Sequence, residues 1–222
     1  MTSGVKHPAK FSDPILRVVD GWVRMEAFWL PKRLRRLRIL DPFAGTGLVH
    51  QLPGLTFGVE LEPEWATMHP RTQVGNALAL PWKRNSFDVI VTSPCYGNRF
   101  ADSHNAQDGS LRRSYTHDLG RKLHPDNAGQ LHWGDEYRRF HREAWREAAR
   151  VLRPGGLFIL NVSDHIRGGK RVPVSAWHVT TLEAMGLEVF AHRDVATRRM
   201  RQGENHLARV DCEHVIALRN AS

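Results

Sequence analysis

Four groups of residues in the first hundred positions carry side chains and backbone that could do chemistry together. The first is Asp41, Pro42, Phe43, Ala44, Gly45, Thr46 and Gly47, which follow the apolar run Arg38, Ile39, Leu40. A strand that ends in a carboxylate and breaks into glycines can turn tightly and approach a ligand before Leu48 opens a helix. That is a cradle for a nucleotide-like ligand, although an ordinary β-to-α turn reads the same way. The second group is Phe57, Gly58, Val59 and Glu60, an apolar strand ending in an acid about twenty residues later, where open α/β units place a ribose-binding carboxylate. Glu60 there can accept from two hydroxyls. The third, Gln73 and Val74 followed by Gly75, Asn76 and Ala77, puts a polar amide at the end of another strand. The fourth is the buried strand Val89 to Thr92, which runs into Ser93, Pro94, Cys95 and Tyr96, a stiff polar and aromatic turn.

These segments, with Leu80 and Pro81 after Asn76, resemble the amino-directed DNA methyltransferases, which methylate N4 of cytosine or N6 of adenine. The family's cofactor loop reads Asp-Pro-Phe-x-Gly-Ser/Thr-Gly, and Asp41 to Gly47 matches it fully. Its catalytic turn reads Asp/Asn/Ser-Pro-Pro-Tyr/Phe, and Ser93 to Tyr96 matches with Cys95 in place of the second proline. The similarity extends from about His7 to about Leu218. It includes His7 to Phe11, which resembles the family segment that closes over the methionine end of S-adenosylmethionine. The resemblance implies a Rossmann-like α/β fold with a mostly parallel seven-stranded sheet and an antiparallel edge hairpin. It also implies S-adenosylmethionine as cofactor, held by Phe11, Asp41, Phe43, Ala44, Gly45, Thr46, Gly47, Glu60, Asn76, Ala77 and Ser93. Asn76 stands where the family often has aspartate. The order of loop and turn is similar to the gamma-type arrangement, and 222 residues leave no room for that type's separate target-recognition domain.

An exocyclic base amine is a poor nucleophile, because its lone pair is delocalised into the ring. Two acceptors for its hydrogens push the nitrogen towards tetrahedral geometry, and the resemblance assigns this to the Ser93 side chain and the Pro94 carbonyl. Tyr96 would stack on a base flipped out of double-stranded DNA. Serine at the first position of the turn favours N4 of cytosine over N6 of adenine. A Pro-Cys pair also occurs in C5-cytosine methyltransferases, but the Glu-Asn-Val segment of that family is absent, so Cys95 reads as a small apolar stand-in for proline that touches the base.

The rest of the chain supplies a frame for these groups. At 222 residues with a formal charge of +9, one α/β domain covering 1–222 and a polyanionic partner are expected. The two cysteines form no framework, no apolar run spans a bilayer, and the amino terminus has no signal-peptide core. A soluble, cytoplasmic protein without a metal is the expectation. Asp13 and Pro14 start a helix that runs to Leu30, and cations alternate with leucines from Lys32 to Arg38. Leu48 to Leu52 reads as a short helix, and Trp65 either stacks on adenine or packs. Residues 97–135 are poor in aliphatics and read as an insertion that contacts DNA, with Asn98, Arg99, Arg112, Arg113, Arg121 and Lys122. Its histidines lack metal-site spacing.

A helix over Tyr137 to Leu152, a stop at Pro154 to Gly156 and a strand from Leu157 to Val162 follow. Asp164 and His165 at that strand's end are candidates to line the base pocket. A helix from Val174 to Met185 precedes strands Leu187 to Ala191 and Glu213 to Leu218. Between these strands a basic loop with Arg193, Arg198, Arg199, Arg201 and Arg209 faces DNA or solvent. The overall expectation is a site-specific DNA modification enzyme, reading a short site through the insertion or as a homodimer. The alternatives are an RNA base N-methyltransferase and a catalytically silent nucleic-acid-binding protein.

Overall fold

In α1 (Asp13–Phe28) the missing N–H of Pro14 falls where the first turn has no partner for it, and Ile15, Val19, Val23 and Ala27 recur four apart to bury one stripe. The computed structural model describes residues 11–28, 36–97, 115–197 and 210–221. Along the chain come β1 (Arg38–Asp41), β2 (Leu55–Glu60), α2 (Pro63–Ala66), β3 (Thr72–Val74) and β4 (Phe87–Thr92). They are followed by α3 (Tyr115–Leu119), α4 (Asp135–Val151), β5 (Leu152–Val162), β6 (His165–Arg167), β7 (Lys170–Val172), α5 (Val174–Glu183), β8 (Leu187–Ala196) and β9 (Cys212–Asn220).

Seven strands form one sheet in the order β3-β2-β1-β4-β5-β9-β8. The first five are parallel, and β9 runs antiparallel to both β5 and β8. Period-two alternation divides the core between the two faces. Ile39, Val89, Val91, Leu157, Ile159 and Val215 pack under α1, while Leu40, Ile90, Phe158, Leu160 and Ile216 pack under α4 and α5. The strand order reverses between β1 and β4, so a crevice opens beyond their carboxyl ends.

The expected α/β class and antiparallel edge hairpin are present, with four local differences. The helix expected from Leu48 is a 3-10 turn, Leu48–Gln51, ended before Pro53. β5 begins at Leu152 rather than Leu157, because Leu152 pairs with Phe87 and the irregular stretch through Gly155 (φ 68°) stays in the ladder. β8 continues to Ala196, since its register with β9 holds through Ala196 and Cys212, so Arg193 is a strand residue and not part of a loop. The β6–β7 hairpin was not expected, although its turn, Gly168 and Gly169 with φ of 55° and 71°, is the glycine pair that a two-residue hairpin needs. Among the described residues no helix is long and apolar enough to cross a membrane.

Trp145 joins the helical layer to the sheet. It is fully buried, meets Phe158 edge-on at 5.5 Å and Phe43 at 5.9 Å, and donates from Nε1 to His178 Nδ1 at 2.9 Å. Trp145→Ala should lower unfolding free energy by about 3–5 kcal/mol, read as a lower urea midpoint at unchanged slope.

Candidate active site

The loop after β1 lies against the end of β2. Asp41 accepts from the Phe43 N–H at 2.9 Å, the Ala44 N–H reaches Val59 O at 2.9 Å, and the Gly45 N–H reaches Glu60 Oε2 at 2.8 Å. Glu60 Oε1 accepts from its own chain's Glu62 N–H at 2.9 Å. The approach is close enough to demand small residues. A Cβ on Gly58 would sit 2.7 Å from Ala44 Cβ, and one on Gly47 (φ 82°) would sit 2.8 Å from the His50 ring and 2.9 Å from His69 Cβ. Phe11, Asp41, Phe43, Ala44, Gly45, Thr46, Glu60, Asn76, Ala77 and Ser93 all line one cleft. Gly47, the remaining member of the expected cofactor set, does not line the cleft; it makes the turn behind it. Burial pushes the Asp41 and Glu60 carboxyls up, each to about 7, against the backbone N–H groups that pull them down.

Of the other wall of the cleft, only Trp65 was singled out in the sequence. Trp65, Tyr115, Asp126, Asn127, Ala128 and Phe140 line that side. The part of 97–135 that is described is no bare loop: it holds α3 and a 3-10 turn at Ala128–Gln130, and buries Tyr115, Leu123 and Ala128. Its anchor is Glu62. That fully buried carboxylate accepts from the His124 N–H at 2.7 Å, Asn127 Nδ2 at 2.8 Å and Arg121 Nη2 at 2.8 Å. Arg121 also forks onto Glu64 at 2.8 and 2.6 Å, so its guanidinium holds the cover of the cleft. The Asn76 amide lies 3.5 Å from Asp126 Oδ2, which places a carboxylate beside the position where Asn76 itself lacks one. Trp65 packs edge-on to Tyr115 at 5.7 Å.

Beyond β4 the turn Ser93 to Tyr96 is held twice. Trp145 Nε1–H donates to His178 Nδ1, so the His178 proton is on Nε2 and is donated to Tyr137 Oη at 2.9 Å. Tyr137 then gives its own hydrogen to Cys95 O at 2.6 Å. Burial pushes His178 well down, which keeps it neutral and this chain of donors in one direction. At the turn's other side, Tyr96 donates to Glu213 Oε2 at 3.0 Å and lies 2.8 Å from Ser93 Oγ. Asn161 Nδ2 reaches Glu213, Tyr96 and Ser93 at 2.8, 2.9 and 3.2 Å. Ser93 and Cys95 line the cleft, while Pro94, which is buried, and Tyr96 do not.

Asp164 and His165 stand at the same edge without lining the cleft. Asp164 accepts from the Ser175 N–H at 2.8 Å at the start of α5 and from Arg171 Nε at 2.7 Å. Asn98, Arg99, Arg112, Arg113, Arg198, Arg199, Arg201 and Arg209 lie outside the described residues, as does His7 to Lys10. Among the described residues, His192, Asp194 and His214 bring three ligand atoms together. Hydrogen bonding accounts for them. Arg171 donates to His214 Nε2 at 3.3 Å, so the His214 proton is on Nδ1 and goes to Asp194 Oδ1 at 2.7 Å.

No protein-family model matches the chain, and no curated protein matches it. Solved structures do share its fold. Geranyl diphosphate C-methyltransferase from Streptomyces coelicolor A3(2), in complex with Mg2+, geranyl diphosphate and S-adenosyl-L-homocysteine, superposes with TM-score 0.51 at 12% identity, covering 99% of this chain and 88% of that one. A SAM-dependent methyltransferase from Methanosarcina mazei gives 0.51 at 14% identity over 84% and 93%. The cyclase SpnF gives 0.51 at 15% identity over 97% and 88%. The chain therefore has the Rossmann-like methyltransferase fold.

Burial pushes the Cys95 thiol up to about 12, and its Sγ faces Tyr115 Oη at 3.8 Å. A thiolate nucleophile is not available there. Native protein treated with iodoacetamide near neutral pH should label the Cys95 peptide far more slowly than urea-unfolded protein does, as read by peptide mass spectrometry.

Proposed function

We propose that this chain is an S-adenosylmethionine-dependent methyltransferase acting on the exocyclic amine of a base in DNA, with N4 of cytosine favoured over N6 of adenine. The observation that carries the reading is the convergence of Glu60, the Gly45 loop and Ser93 on one cleft at the strand-order reversal. A structural neighbour's complex with S-adenosyl-L-homocysteine supports the choice of cofactor. The residues fit it. The Glu60 carboxylate takes the Gly45 N–H on Oε2 and the Glu62 N–H on Oε1, with Leu61 as a further backbone donor, and its remaining acceptor capacity would serve a ribose hydroxyl. Asn76 and Ala77, which line the same cleft, would hold the adenine, and the loop from Asp41 to Thr46 with Phe11 would hold the methionine end. When bound, S-adenosylmethionine supplies an electrophilic methyl group.

The protein's part is to orient the amine and to exclude water. Ser93 lines the cleft and its Oγ would accept one amine hydrogen, with the Pro94 carbonyl as the assigned acceptor for the other. Tyr137 and His178 hold the neighbouring carbonyl of Cys95, so the turn cannot rotate away. A nucleic-acid substrate is supported by the formal charge of +9 and by Arg167, Lys170 and Arg171, exposed on the β6–β7 hairpin beside the ligand edge.

Ribose hydroxyls donate to Glu60, so the bound state favours its carboxylate over the free state's acid near pH 7. Affinity for S-adenosyl-L-homocysteine should therefore rise with pH through about 7 and level off above it, as read by titration calorimetry. Glu60→Ala should remove the binding. The function itself is tested with labelled S-adenosylmethionine, separate DNA and RNA substrates, and nucleoside mass spectrometry. N4-methylcytosine or N6-methyladenine in DNA is expected; label confined to RNA, or none with cofactor bound, overturns the assignment.

A further inference from the structure

We infer that Ser93, Tyr96 and Glu213 form a proton path out of the cleft, with Glu213 as its terminal acceptor and Asn161 as the residue that keeps the three aligned. The inference rests on the amine-methylating reading above. A neutral amine that forms a bond to a sulfonium methyl group, as the carbon–sulfur bond breaks with its electron pair going to sulfur, is left with one proton too many. Some group must take that proton, and it must lie within reach of the amine.

The hydrogen bonds run in one direction. Tyr96 has a single hydroxyl hydrogen and donates it to Glu213 Oε2 at 3.0 Å. The 2.8 Å contact between Tyr96 and Ser93 must then be Ser93 Oγ–H donating to Tyr96 Oη. Ser93 lines the cleft, and its Oγ, which also takes the 3.2 Å contact from Asn161 Nδ2, keeps acceptor capacity for the amine. A proton arriving from the amine at Ser93 Oγ releases the serine hydrogen to Tyr96 Oη, and the tyrosine hydrogen passes to the Glu213 carboxylate. The serine and tyrosine end neutral, the carboxylate becomes an acid, and the methylated amine leaves neutral. One positive charge has gone from the sulfonium and one negative charge from Glu213.

The topology explains how a residue so late in the chain arrives here. β9 is antiparallel to β5, so it begins at the edge where the parallel strands end, and its second residue is Glu213. Asn161, near the end of β5 and 2% exposed, contacts all three members through Nδ2. Glu213 is half-buried, which lets it return the proton to solvent.

Two measurements test the path separately from the function. In free protein carrying tyrosine labelled with 13C at Cζ, Glu213→Gln and Ser93→Ala should each shift the Tyr96 resonance and leave Tyr115 and Tyr137 in place. An unmoved Tyr96 signal overturns the path whatever the substrate proves to be. In single-turnover methylation of DNA, Glu213→Gln and Tyr96→Phe should each slow the reaction about a hundredfold. Affinity for S-adenosyl-L-homocysteine and KM for DNA should stay within twofold, and Glu213→Asp should restore part of the rate. A Glu213→Gln rate equal to that of the wild type overturns the path while the methyltransferase reading stands. Absence of methylation by the wild type overturns that reading, and the inference with it.

Discussion

The site depends on one buried carboxylate. Glu60 is 8% exposed, and its two oxygens take the Gly45 and Glu62 N–H groups, so a single side chain fastens the glycine loop after β1 to the end of β2. Around it the geometry is tight, because Gly58 and Gly47 allow the backbone to approach within contact distances that any Cβ would violate. The arrangement carries a thermodynamic tension. A carboxyl held near 7 is stabilised in its acid form, so the contribution of Glu60 to folding is fully present below its unfolded pKa of about 4 and is lost as pH rises through 7. Asp41 acts in the same sense. A ligand that donates hydrogen bonds to Glu60 reverses that loss, which couples binding to stability.

Further along the same edge, the chemistry is positioned by groups that do not face the cleft. The Ser93 to Tyr96 turn is gripped from below by Trp145, His178 and Tyr137 and from the side by Asn161 and Glu213. The hydrogen bonds on both sides hold the turn in one geometry in a way that apolar packing does not, although the buried Asn161 Oδ1 is left without a partner. Opposite them, Glu62 carries the segment from Arg121 to Asn127 as the outer wall of the cleft.

What could be read from the chain alone was whatever is local. Asp41 to Thr46, Glu60, Asn76 and Ser93 each sit at or just after a strand end and reached one cleft, while Gly47 makes the turn behind it. The Gly168 and Gly169 turn is local in the same way, announced by the glycine pair itself. Glu213 and Asn161 were not legible, since their meeting with Tyr96 requires knowing that β9 inserts beside β5 in the antiparallel sense. Glu62 and Arg121 stand 59 positions apart, and nothing in either neighbourhood marks the other as its partner. The wall built from Tyr115 to Ala128 looked unlike core because its few apolar residues are spaced by polar ones that bond to the α2 region.

The fold by itself leaves the chemistry open, as its likeness to a cyclase demonstrates. The claim that matters is that Glu60 and Ser93 would meet one bound S-adenosyl group, Glu60 at its ribose and Ser93 at its sulfur. A crystal structure of the complex with S-adenosyl-L-homocysteine tests it most directly. The account predicts ribose hydroxyls on the Glu60 carboxylate and the thioether sulfur directed towards Ser93. A ligand bound away from Glu60, or one whose sulfur points away from the Ser93 turn, would contradict it.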